Sequence, residues 1–134
     1  MLKQLWSTKS YAVDAGLLLL RIGLATLMMP HGWDKFTHYA ENADKFPDPL
    51  GVSSPVSALL TIFAELFCSG FLLLGLFSRF VLIPLMFTMV VVIFVIQSNE
   101  DLAVREHAIL YLVPYILLFL SGPGRYSADG LMKR

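Results

Sequence analysis

The chain has 134 residues, 57% of them hydrophobic and 15% charged, and ten basic side chains balance ten acidic ones. That profile excludes a disordered chain, which needs low hydrophobicity and high net charge, and leaves no basic excess for binding nucleic acid. The single cysteine, Cys68, excludes an internal disulfide framework, a CxxC redox centre and a multi-cysteine zinc or iron–sulfur site. What remains is an integral membrane protein or an unusually apolar soluble bundle.

Four apolar segments favour the membrane. The first covers about residues 12–33 with one central charge, Arg21. Its apolar stretch is too long for a signal peptide and it ends in Pro-His-Gly-Trp-Asp-Lys instead of a small-residue cleavage site, so it reads as an uncleaved helix. The second covers about 55–77 and holds Glu65; Ser54 and Pro55 read as its N-cap and first helical residue. The third, about 80–96, carries no charge at all. A soluble helix needs a polar stripe, and this one has none. The fourth, about 105–121, opens with Glu106 and His107. It is short against the roughly 20 residues a span requires, so the bilayer must thin there. The expected fold is all-α, a polytopic membrane four-helix bundle occupying 1–134 as a single domain.

The loops set an orientation. Lys3, Lys9, Arg79, Arg125, Lys133 and Arg134 share one side, against Lys35, Lys45 and Arg105 on the other. This asymmetry places both termini in the cytoplasm, with Trp6 and Tyr11 at the inner interface and Trp33, Phe36 and Tyr39 at the outer one.

Arg21 and Glu65 lie at similar expected depths on adjacent antiparallel helices. A lone charge at mid-bilayer costs from about 2.5 to over 10 kcal/mol, so the two invite pairing. Such a pair either fixes helix register or binds a polar head group and relays protons. Thr61, Cys68 and Ser69 share the Glu65 face. Gly16, Gly23, Gly70 and Gly75 read as close-packing surfaces.

A second constellation gathers at the outer end. His31, Asp34 and Lys35 close the first segment and Gln97 closes the third; Glu106 and His107 open the fourth, with Tyr111 and Tyr115 continuing the His107 stripe at one-turn intervals. A histidine beside carboxylates exchanges protons near neutral pH, as quinone chemistry at a membrane surface requires. Alternatively these side chains only solvate helix ends. Two histidines without an evident third ligand do not specify a metal site.

The run LLLLRIGLATLMMPHGWDKF resembles the first helix of the DoxX family, with its intramembrane Arg and His-Gly-x-x-Lys exit. AELFCSGFLLLGLFSRF resembles that family's second helix, and HAILYLVPYILLFLSGPGRYSADG its fourth helix and Gly-Pro-Gly-Arg tail. The resemblance implies a small four-helix protein of the bacterial inner membrane. Some members look like subunits of quinone-linked systems such as thiosulfate:quinone oxidoreductase, and others are associated with thiol or oxidative-stress redox complexes. By matching position it carries over Arg21, His31, Lys35, Glu65 and Arg125.

Together these features point to a membrane subunit of a quinone-linked oxidoreductase system, with a quinone or other small redox molecule bound within or at the outer mouth of the bundle; the cofactor is left open, a quinone being one candidate. His31 and His107 are the candidate catalytic groups. Arg21, Lys35, Glu65, Gln97, Glu106 and Tyr111 are candidate ligand-binding residues, and no metal ligands are assigned. The expected partners are the lipid bilayer, a redox protein and a second copy of the chain. Two alternatives stand: a non-enzymatic scaffold or anchor for a redox partner, and a small-solute transporter. The transporter lacks a visible inverted repeat or pair of broken helices.

Overall fold

In the computed structural model the described residues are Lys3, Leu5, Ser7 and 12–132. Trp6, Tyr11, Lys9, Lys133 and Arg134, used above for orientation, lie outside them. Every described element is helical. Helix α1 is Val13–Thr37, followed by a short α2 (Tyr39–Asn42) and a 3₁₀ turn (Ala43–Lys45). Helix α3 is Ser54–Leu74, α4 is Ser78–Ile96, α5 is Leu102–Ser121, and a short α6 (Ala128–Met132) ends the described chain.

Among the described residues, α1, α3, α4 and α5 are long and apolar enough to cross a bilayer. Large apolar side chains point outward along all four: Leu19 is 73% exposed, Phe80 75% and Leu120 72%. Lipid satisfies such a surface and water does not, so the chain is a multi-pass membrane protein. Several boundaries differ from those expected, including the end of α3 at Leu74 and the start of α4 at Ser78, and three of them matter. Helix α1 runs on through Lys35 to Thr37, so Lys35 is a helical side chain. Helix α5 starts at Leu102 and has 20 residues, long enough to span without thinning the bilayer. The cap of α3 is Ser53, whose side chain accepts from the Val56 amide, and Ser54 is already helical.

Helix α1 packs along α3, α3 along α4, and α4 along α5. Leu24, Met28, Leu72, Leu82, Leu85, Met89, Tyr115 and Leu118 form the interior. Lipid tails are as apolar as these residues, so close packing and internal hydrogen bonds hold the helices together. Helices α1 and α3 come close at Gly32: a Cβ there would lie 2.7 Å from the Leu66 amide nitrogen and 2.9 Å from the Glu65 carbonyl carbon. Gly16 and Gly23, expected as packing surfaces, face open space: a Cβ on either would meet nothing within 4 Å. Gly75 ends α3 at φ 71, and a Cβ there would meet the Arg21 guanidinium at 2.7 Å.

Two stretches widen from α to π geometry, Phe63–Cys68 within α3 and Val92–Ile96 at the end of α4. Such bulges recur at functional sites because they re-aim side chains. Here they carry Glu65 and lead into Gln97. For orientation, the end of the bundle holding Thr37, Ser54, Ile96 and Leu102 is called distal.

Candidate functional site

The intramembrane carboxylate has a different partner from the one expected. Lys35 Nζ donates to Glu65 Oε1 at 2.7 Å and Oε2 at 2.5 Å. The Glu65 side chain is 6% exposed and that of Lys35 33%. Arg21 does not pair with Glu65. Its Nε donates to the Pro123 carbonyl at 3.0 Å and its Nη1 to those of Leu72 and Leu73 at 3.2 and 3.0 Å, while Nη2 donates to the Tyr126 carbonyl.

Helix direction explains the exchange. Side chains lean toward the N-terminus of their own helix. Helices α1 and α3 are antiparallel, so Arg21 leans away from the distal end and Glu65 toward it. Lys35 leans inward from that end and meets Glu65. Depth adds to this: Glu65 is level with Gly32, eleven residues or about 16 Å along α1 from Arg21. Arg21 therefore ties the C-terminal segment to the end of α3, a structural role. Asp129 reinforces the same junction by accepting from the Phe77 and Ser78 amides at 2.9 Å each.

The Lys35–Glu65 pair lies in the wall of a cavity of about 490 Å³ between α3 and α4. That volume falls in the usual range for small-molecule sites, which combine apolar walls with a few polar groups. Leu60, Phe63, Phe87 and Val91 supply apolar walls; Lys35, Glu65, Ser57, Thr61, Thr88 and Gln97 supply the polar atoms. Gln97 Oε1 is buried with no hydrogen-bond partner. The Thr61 and Thr88 hydroxyls donate back to the Ser57 and Pro84 carbonyls of their own helices. A smaller pocket of about 190 Å³, lined by Asp34, Tyr39, Asn42 and Ala58 among others, shares Lys35 and Phe46 with the first.

The segment from Phe46 to Leu50 borders the distal side of the cavity. Asp48 holds it there, accepting from the Val52 and Ser53 amides at 3.0 and 2.9 Å and from the Ser57 hydroxyl at 2.9 Å. Desolvation alone would raise the Asp48 pKa, but the bonds from Ser57, Ser53, Val52 and Gly51 together hold it below the ordinary carboxylate value.

His31 and His107 converge. Their ring centroids lie 5.5 Å apart, and Tyr111 is 6.4 Å from His31 and 5.2 Å from His107. Tyr115 continues the stack at 6.0 Å from Tyr111. The stripe passes from exposed histidines to a fully buried Tyr115, whose hydroxyl meets no partner of hydrogen-bond geometry, with Ser69 Oγ in the same condition nearby. The cavity lining includes Glu65 but none of the four rings of this stripe.

Glu106 is exposed and joins no hydrogen bond or ion pair among the described residues. His38 caps α1 away from the stripe; the Asp34 carbonyl and then its carboxylate raise the His38 pKa. Among the described residues no group of three or more His, Cys, Asp or Glu could hold a metal ion. Sequence reasoning missed the two π stretches, the Lys35–Glu65 pairing, Gly32 and Asp48. The inward lean of a terminal lysine was the one available signal for the pairing.

A family model described as DoxX matches residues 16–98, more than half of the chain. The matched stretch contains Arg21, His31, Lys35, Glu65 and Gln97 and stops short of α5. No curated protein and no solved structure matches the chain.

Proposed function

The chain belongs to the DoxX family, and from that premise we propose that it is the membrane subunit of a quinone-linked oxidoreductase system, with the quinone head held beside Lys35 and Glu65. One observation carries the reading: an acid–base pair, Glu65 buried and Lys35 half-buried, forms part of the wall of an otherwise largely apolar cavity. The residues present suit such a group. The Lys35 ammonium is a donor for a quinone carbonyl, Glu65 an acceptor for a hydroxyl of the reduced form, and the unpartnered Gln97 oxygen a second acceptor. When bound, a quinone supplies two-electron, two-proton chemistry.

The protons need a way to water. His31 and His107 are exposed and adjoin Tyr111. Histidine is the residue type that exchanges protons near neutral pH. In this reading the two are the catalytic pair and Tyr111 extends their reach toward the cavity. The electrons come from a partner protein. The chain lies in the bacterial inner membrane with both termini cytoplasmic, so the distal end faces outward.

The test is direct. Purified protein should carry or bind a quinone identifiable by mass spectrometry. His31→Ala and His107→Ala should keep the fold yet lower quinone-linked turnover about 10²–10⁴-fold, with the double variant far from additive. Absence of quinone binding, together with variants indistinguishable from the parent, would defeat the proposal. A second reading, a non-enzymatic scaffold, is favoured by the outward stripe of Phe80, Phe87 and Phe94 on α4. It predicts that alanines along this stripe abolish recovery of a partner protein.

A further inference from the structure

The cavity has a polar side and an apolar flank. Lys35, Glu65, Ser57 and Gln97 supply the polar side; Leu60, Phe63, Pro84 and Phe87 line the flank between α3 and α4. Pro84 and Gln97, the residue that caps α4, are thirteen residues apart, so the lining extends about 20 Å along that helix. Apolar Phe46, Pro49 and Leu50 border its distal side, fastened through Asp48 to the first turn of α3. The flank between α3 and α4 is different: Leu60 is 50% exposed, Phe63 50% and Phe87 52%, all well inside membrane-crossing helices. At that depth the surroundings of an exposed phenylalanine are acyl chains.

We infer that the cavity admits its ligand laterally from the bilayer, between α3 and α4, and that this ligand is a tailed amphiphile: its head lies among Lys35, Glu65 and Gln97, and its tail passes between Leu60, Phe63 and Phe87 into lipid. The inference rests on the reading of the cavity as a quinone site and specifies the molecule further. A tail gains little by moving from lipid into protein, since both are apolar. It stays in the membrane while the polar head alone exchanges partners, and the head's recognition by the Lys35–Glu65 pair supplies the selectivity.

The experiment uses the full chain in proteoliposomes and a benzoquinone-headed probe with an isoprenoid tail ending in a diazirine. After illumination the labelled positions are mapped by peptide mass spectrometry. Labelling is expected to concentrate on residues 60–63 and 84–88 and to be displaced by the unlabelled tailed quinone. It should fall about tenfold, the equivalent of 1.4 kcal/mol, in Thr88→Phe and in Leu60→Trp, which fill the passage from opposite walls. The map is read on the unmodified chain, so it holds even where a filling variant does not fold.

Displaceable labelling on residues 34–50, with a tailless benzoquinone competing as well as the tailed one, would overturn lateral entry while leaving the quinone site standing. Labelling that no quinone displaces, spread over the lipid-facing helices as with a fatty-acid diazirine, would overturn both.

Discussion

Replacing Lys35 by Met strands the Glu65 carboxylate, and the geometry sets the size of the loss. At 2.7 Å two unit charges attract by about 6 kcal/mol at an effective dielectric of about 20. Desolvation offsets much of that in the intact pair, but removing one member leaves the other uncompensated, at about 3–5 kcal/mol for a buried group. The two halves are not equivalent. The Glu65 side chain is 6% exposed and that of Lys35 33%, and a lysine freed of its partner extends its ammonium toward the distal interface. Glu65→Gln should therefore cost only about 1–2 kcal/mol, less than Lys35→Met. The double variant should fall short of the sum by about 2 kcal/mol. Arg21 supplies the control. It bonds carbonyls at Leu72 and Leu73, about 10 Å along α3 from Glu65. Arg21→Met combined with Glu65→Gln should therefore add to within about 0.5 kcal/mol. Reversible unfolding in mixed micelles titrated with SDS measures all of these. Additive losses at Lys35 and Glu65, or a larger loss from Glu65→Gln than from Lys35→Met, would refute the assignment.

Gly32→Ala places a methyl 2.7 Å from the Leu66 amide nitrogen, so it should destabilise the bundle by about 1–3 kcal/mol or more; Gly23→Ala, with open space around it, should be neutral or mildly stabilising in the same assay. Asp48 has a lowered pKa in the folded chain, so its contribution is present above the unfolded carboxylate value and is lost as pH falls through the folded one. Protection factors of the Val52 and Ser53 amides, which remove the intrinsic pH dependence of exchange, should fall on acidification, and an Asp48→Asn chain showing the same acid dependence would count against this origin. A reporter fused to the C-terminus should be active only in its cytoplasmic form, and periplasmic activity would reverse the proposed orientation.

The four spans were legible because lipid demands long apolar helices and the sequence supplies them without polar stripes. The meeting of His31 with His107 was legible because both sit at helix ends on the same side of the bundle. The Arg21–Glu65 pairing misled because depths counted from the ends of the apolar runs came out equal, whereas the two helices are staggered so that Glu65 is level with Gly32, about 16 Å along α1 from Arg21, and the lean of each side chain parts them further. Ends were blurred as well: Lys35 and Leu102 sit beyond the apolar runs yet are helical, since a helix continues into the interface wherever nothing breaks it. The π stretches leave no mark in hydropathy, because they change which neighbour a residue faces without changing its composition. Asp48 was hidden for another reason. Its role is to hold a loop against the amides that follow it, which a reading confined to spans passes over.

The attachment of Arg21 also bears on the order of assembly. Two of its acceptors, Pro123 and Tyr126, lie 102 and 105 residues further along the chain. At about 5–20 residues per second, ribosomal synthesis separates the guanidinium from those carbonyls by roughly 5–20 s. During that interval the first helix is in the membrane with its cation incompletely coordinated, and solvent or lipid phosphate must serve in their place. Closure at that end therefore waits for the segment after α5. A chain stopped at Ser121 would leave its first helix without the Pro123 and Tyr126 carbonyls that latch Arg21.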